Sequence, residues 1–131
     1  MTTFSATMTM QEQRDHFLKV VKILSSWGVD PSRMARIILM NEGSLDRLSA
    51  ITQSSVRLTE DQLRRIDLVV NFARIINGMF ENPSNVTYFA SRPNDNYGFD
   101  GRSLLEILEH CDTDDLQRVY RNFYAEMINP W

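Results

Sequence analysis

Apolar residues recur at helical spacing along most of the chain. Phe17, Val20, Val21, Leu24 and Trp27 fall on one face, which predicts a buried stripe on a first helix stopped by Gly28. Asp30-Pro31 predicts a restart, with Asp30 as cap and Pro31 in the first turn. That second helix turns Met34, Ile37 and Ile38 inward and is expected to end by Asn41-Glu42-Gly43. Ser44 is a candidate cap for a third, shorter helix burying Leu45, Leu48 and Ile51. Thr52-Gln53-Ser54-Ser55 has no apolar period and reads as a seam.

Beyond the seam, Thr59 and Gln62 stand at capping-box spacing before a long stripe of Leu63, Ile66, Val69, Val70, Ala73, Ile76 and Phe80. Asn82-Pro83 predicts a short helix with Val86 and Phe89 inside. Residues 92–102 break the pattern with polar and glycine positions around Tyr97 and Phe99, and a helix carrying Leu104, Leu105 and Leu108 follows. Thr113-Asp114-Asp115 opens a last helix that turns Leu116, Val119, Tyr120, Phe123 and Met127 inward. No stretch alternates with period two, so the fold class is all-α.

Composition narrows the function classes. At 131 residues, with 43% hydrophobic and 24% charged, the chain has the makings of an ordinary globular core. A net charge of −3 argues against a nucleic-acid coat, although a local basic patch is compatible with it. The single cysteine, Cys111, excludes a disulfide framework and makes the cytoplasm the expected compartment. No apolar run approaches the roughly 18–20 residues of a membrane span, and Met1 to Met10 lack the features of a signal peptide. Residues 1–12 read as a loose tail.

Candidate chemistry is sparse. His110-Cys111-Asp112 holds a base, a nucleophile and an acid, but neighbours on a helix diverge, and a helix C-terminus with His110 facing the dipole explains the triplet more simply. Two histidines and one cysteine do not make a zinc site, and no phosphate-loop, dinucleotide or nucleophile-elbow motif is present. The expectation is a non-enzyme without a cofactor. The 92–108 stretch fails as a calcium loop: with Gly101 at loop position six, Ile107 stands where the bidentate glutamate belongs. Capping accounts for more of it. Ser103 and Glu106 form a capping box, Asn94 suits a side-chain turn, and Gly98 and Gly101 permit left-handed backbone. On pattern alone Phe99 reads as core and Arg102 as solvated.

Asp30 to Ile51 has the outline of a helix-turn-helix with Gly at the turn. Its DNA-facing candidates are Arg33, Arg36, Ser44 and Arg47, with Arg57, Arg64 and Arg65 as a further basic edge; Glu42 and Asp46 oppose that use. A plain packing unit fits the same residues. Trp131 follows Pro130, which ends the helix before it. Its ring either folds back on the last helix or is offered to a partner, a role in which Trp is enriched.

Taken together, Leu24 to Val29, Val56 to Gln62, Met79-Phe80 before Asn82-Pro83, Arg92 to Asn94, Phe99 to Leu104, and Leu116 to Tyr120 running to Trp131 form an ordered series of short fragments. In that order the chain, from about Phe17 onward, resembles type II antitoxins with the Xre/MbcA/ParS-like toxin-binding domain. The resemblance implies a helix-turn-helix-like part over residues 13–56 and a toxin-binding domain over 57–131. It implies a cognate RES-domain toxin that consumes NAD or transfers ADP-ribose, whose NAD pocket the C-terminal segment blocks. By position, the toxin-facing residues are Asn94, Phe99, Gly101, Arg102, Ser103, Asn129, Pro130 and Trp131. It further implies a cytoplasmic homodimer that binds operator DNA and represses its own operon. The chain differs from the family pattern at Ile38 to Asp46, which is acidic and apolar where relatives carry a basic or aromatic recognition helix, and at Pro130, where relatives carry Gly. The alternative is a stand-alone helix-turn-helix repressor.

Overall fold

The computed structural model describes residues 8–49, 57–96 and 98–128, without the side chains of 47–49 and 128. Among them it is all-helical, with seven helices: α1 Met10–Ser26, α2 Pro31–Ile38, α3 Glu42–Ser49, α4 Glu60–Met79, α5 Pro83–Ser91, α6 Leu104–His110 and α7 Thr113–Ile128. None is long and apolar enough to cross a membrane. The chain divides into two compact units, Met1–Val70 and Asn71–Trp131. The division falls inside α4 rather than at the polar seam; Ile51 and Thr52 to Ser55 lie outside the described residues.

In the first unit, α1 begins at Met10, inside the stretch expected to be loose. Thr9 and Glu12 close a reciprocal capping box, Glu12 N donating to Thr9 Oγ1 and Thr9 N to Glu12 Oε1. Hydrogen bonding to the Thr9 backbone N–H, and secondarily to its side chain, holds the Glu12 carboxyl below the usual range. Phe17, Val20, Leu24 and Trp27 are buried as the stripe predicts, while Val21, at the edge of that face, stays half-exposed. Gly28 takes φ +80°, letting Val29 N reach Leu24 O and Gly28 N reach Ser25 O, the paired bonds of a Schellman stop. Asp30 caps α2 through Arg33 N at 2.9 Å, and Pro31 sits in the first turn.

The junction between α2 and α3 differs from expectation. Asn41, not Ser44, caps α3: its Oδ1 accepts from Ser44 N at 2.7 Å, and Gly43 lies within the helix. The turn therefore contains no glycine. Leu39 occupies the left-handed position at φ 63°, again with a Schellman pair, Met40 N to Ala35 O and Leu39 N to Arg36 O. Long-range bonds hold it there. Gln62 Nε2 donates to Leu39 O at 3.0 Å, and the buried Arg65 donates from Nε to Ile37 O at 2.6 Å. Gln13 adds a third tie, accepting from Leu58 N and donating to Met8 O.

In the second unit, the last turns of α4 give way before Asn82-Pro83. Proline disfavours helical angles in the residue ahead of it, and Asn82 is extended, accepting from Ser84 N to cap α5. The core is a ring cluster: Phe72 meets Phe99, Tyr120 and Phe123, and Phe123 also meets Phe89 and Phe99. Leu104, Ile107 and Leu108 of α6 and Leu116 of α7 are fully buried. Phe80, Tyr120 and Met127 are half-exposed rather than buried.

Candidate functional site

The 92–103 stretch is a closed loop whose ends are bonded to each other. Asn94 N donates to Arg102 O at 3.2 Å, and Gly101 N donates to Asn94 O at 3.1 Å. Inside it, Asn94 Oδ1 accepts from both the backbone and the side-chain nitrogen of Asn96, and Asn94 Nδ2 is buried with no acceptor among the described residues. Asp100, Gly98 and Gly101 all take positive φ, winding the chain tightly enough for Phe99 to turn wholly inward. Ser103 then caps α6 in a two-way box with Glu106, whose carboxyl is held below the usual range first by the Ser103 backbone N–H and then by the Ser103 side chain.

This geometry corrects two of the toxin-facing assignments. Phe99 is fully buried against Phe72 and Phe123, and Ser103 is 2% exposed with its hydroxyl engaged in the cap, so neither presents its side chain to a partner. Arg102 is half-exposed, and it braces the loop: Nε donates to Phe99 O, Nη1 lies 3.6 Å from Cys111 Sγ, and Nη2 is 3.9 Å from Asp100. Gly101 is exposed and Asn94 half-buried. Asn129, Pro130 and Trp131 lie outside the described residues, as does Tyr97.

Two open polar clefts flank the loop. One, of about 540 Å³, is lined by Asp95, Asn96, Gly98, Asp100, Gly101 and Asn122. The other, of about 320 Å³, adds Arg102, Cys111, Asp115, Arg118 and Val119, so that two carboxylates face two guanidiniums. No histidine is among the described residues that line either cleft. His110 is exposed in the last turn of α6, and Asp112 is taken up as a cap, accepting from Asp115 N. Among the described residues no group of three His, Cys, Asp or Glu is placed to hold a metal ion.

A different surface opens along α4 and α7. Asn71, Arg74, Ile75, Gly78 and Met79 face Tyr120, Tyr124 and Met127 across a groove of about 430 Å³. Met79 and Tyr124 are 40% and 47% exposed, so its walls are uncovered apolar and aromatic surface. Sequence reading assigned Met127 and Tyr120 to the core and passed over Gly78; an unneeded glycine in a long helix was the available signal.

Of the four DNA-facing candidates, three have described side chains. Arg36 is exposed but donates to Ser32 Oγ, Arg33 is half-exposed, Ser44 follows the Asn41 cap, and the Arg47 side chain is not described. Glu42 and Asp46 are exposed on α3. Arg65, expected to extend a basic edge, is 1% exposed and bound to the α2 carbonyl end. No family model, characterised protein or solved structure matches this chain.

Proposed function

We propose that the chain is a helical antitoxin, acting in the cytoplasm as a homodimer, that neutralises a RES-type NAD-consuming toxin. The segment 129–131 enters the toxin's NAD pocket, and the chain itself performs no catalysis. The observation that carries this reading is at the end of α7. The helix runs to Ile128 with Tyr124 exposed and Met127 half-exposed, so the turns that precede segment 129–131 carry uncovered apolar surface. The fragment order from Leu24 to Trp131 supports the family assignment. Within the loop, Gly101 and the outer edge of Arg102 remain as contacts, while Phe99 and Ser103 hold the loop's shape from behind. Operator binding and autorepression belong to the complex in this reading, because α3 exposes Glu42 and Asp46.

The test is co-expression with the RES-domain product of the adjacent gene. The full chain restores growth, and a chain lacking residues 128–131 still folds by circular dichroism but does not. Full rescue by the truncated chain would sink the pocket-blocking reading.

A further inference from the structure

Among the described residues the groove between α4 and α7 stands open, and the register of α7 points to an occupant. Tyr120, Tyr124 and Met127 stand at i, i+4 and i+7 on the helix face that lines the groove, and Trp131 is the next position of that same stripe. A continuous helix cannot deliver it. Pro130 removes a backbone donor and clashes with the preceding turn, and it biases Asn129 toward extended angles. The described helix α7 ends at Ile128, three residues before Trp131. Three residues reach at most about 10 Å. The lining from Met127 back to Tyr120 is also about 10 Å long at 1.5 Å per residue.

The opposite wall suits an aromatic ring. Gly78, in the last turn of α4, leaves a gap: a Cβ built there meets nothing within 4 Å. Ile75, Met79 and Met127 supply apolar and thioether contacts, and Tyr120 and Tyr124, whose rings lie 6.0 Å apart, supply edges and faces. A volume of about 430 Å³ lies within the range of about 300–1,000 Å³ typical of cavities that hold organic groups.

We propose that in the free protein the indole of Trp131 docks in cis into this groove. The consequence rests on the antitoxin reading: a segment stored on its own helix pair must be released before it enters a toxin, so groove and toxin compete for one side chain.

The experiment is tryptophan emission and acrylamide quenching of the full chain. Trp27 is 4% exposed and gives a shielded background, which the Trp131→Phe variant isolates. The difference spectrum belongs to Trp131. It is expected to be blue-shifted and quenched several-fold less than free indole, independently of protein concentration. Gly78→Leu fills the gap, and Tyr124→Ser removes an exposed wall. Either is expected to shift the Trp131 component to the red and raise its quenching several-fold, leaving the Trp27 component and the far-ultraviolet circular dichroism unchanged. A red, fully quenched Trp131 in the parent chain overturns the proposal. So does a component that neither variant moves, or one that turns red on dilution, which would identify a second copy as the occupant. If truncation leaves toxin rescue intact while the fluorescence behaves as expected, the pocket-blocking reading fails and the docking stands; the reverse pattern separates them the other way.

Discussion

Replacing Phe99 with alanine tests whether the loop's central ring is structural. The side chain is fully buried, with its centroid 5.5 Å from Phe123 and 6.5 Å from Phe72, the latter edge-on. Removing a buried phenylalanine costs about 3–5 kcal/mol, because transfer energy is lost and the cavity only partly collapses. The two ring pairs place this site in the upper part of that range, at about 4–5 kcal/mol. A 131-residue chain is expected to have about 7–20 kcal/mol in all, so the variant remains folded but weakened. With a urea slope of about 2 kcal/mol/M, the midpoint falls by about 2 M. Near-ultraviolet circular dichroism follows the ring cluster during urea titration, and Trp27 emission, read in a Trp131→Phe background, separately reports the first unit. Phe99→Leu, which keeps much of the volume, loses about 1–2 kcal/mol. A loss below about 1 kcal/mol for Phe99→Ala with an unchanged slope would refute the reasoning and return Phe99 to the surface.

Three other perturbations follow from the same structure. Burial holds His16 below its ordinary imidazole value; Asp67, 3.9 Å away, raises it but does not prevail, and Lys19 adds to the lowering. The unfolded chain therefore binds the extra proton first: stability is full above about pH 6.5 and declines as pH falls through the folded value, and His16→Gln flattens that slope in urea midpoints measured from pH 5 to 7.5. Ser103→Ala removes the cap of α6, lowering stability by about 1 kcal/mol; the backbone N–H of residue 103, the larger cause of the lowered Glu106 carboxyl, stays, so loss of the hydroxyl moves that carboxyl only part of the way back up by NMR. Leu39→Gly relieves a left-handed leucine at φ 63°, and after the entropy lost to glycine it raises stability by about 0.5–1 kcal/mol in thermal or urea unfolding.

The elements that could be read from the sequence are those specified by residues a few positions apart. Asp30-Pro31, Thr59 with Gln62, Asn82-Pro83 and Ser103 with Glu106 each carry their own cap, and each appears where predicted. Thr9 with Glu12 carries the same signal and was passed over because the residues before it look like a tail. The turn after α2 was not legible for another reason. A leucine in left-handed backbone has no local mark; it is held by Gln62 and by the Arg65 bond to Ile37, from more than twenty residues away. Burial of Arg65 and Gln13 is illegible on the same grounds, since an arginine or glutamine is buried only when distant partners receive it. The α4–α7 groove is a property of packing. Its aromatic stripe is visible in the sequence, but its opening is not.

The closed 92–103 loop has a consequence for how the molecule meets proteases. Proteases take substrate in extended form over several residues, and exposed glycine-containing loops are usual places for nicking. Here the loop's ends are joined through Asn94 N to Arg102 O and Gly101 N to Asn94 O, while Arg102 braces it and Phe99 anchors it in the ring cluster. To be cut, the segment must break both bonds and withdraw a buried aromatic side chain. Its resistance is therefore set by the opening of the second unit's core, and a cut there reports core unfolding rather than a loose surface.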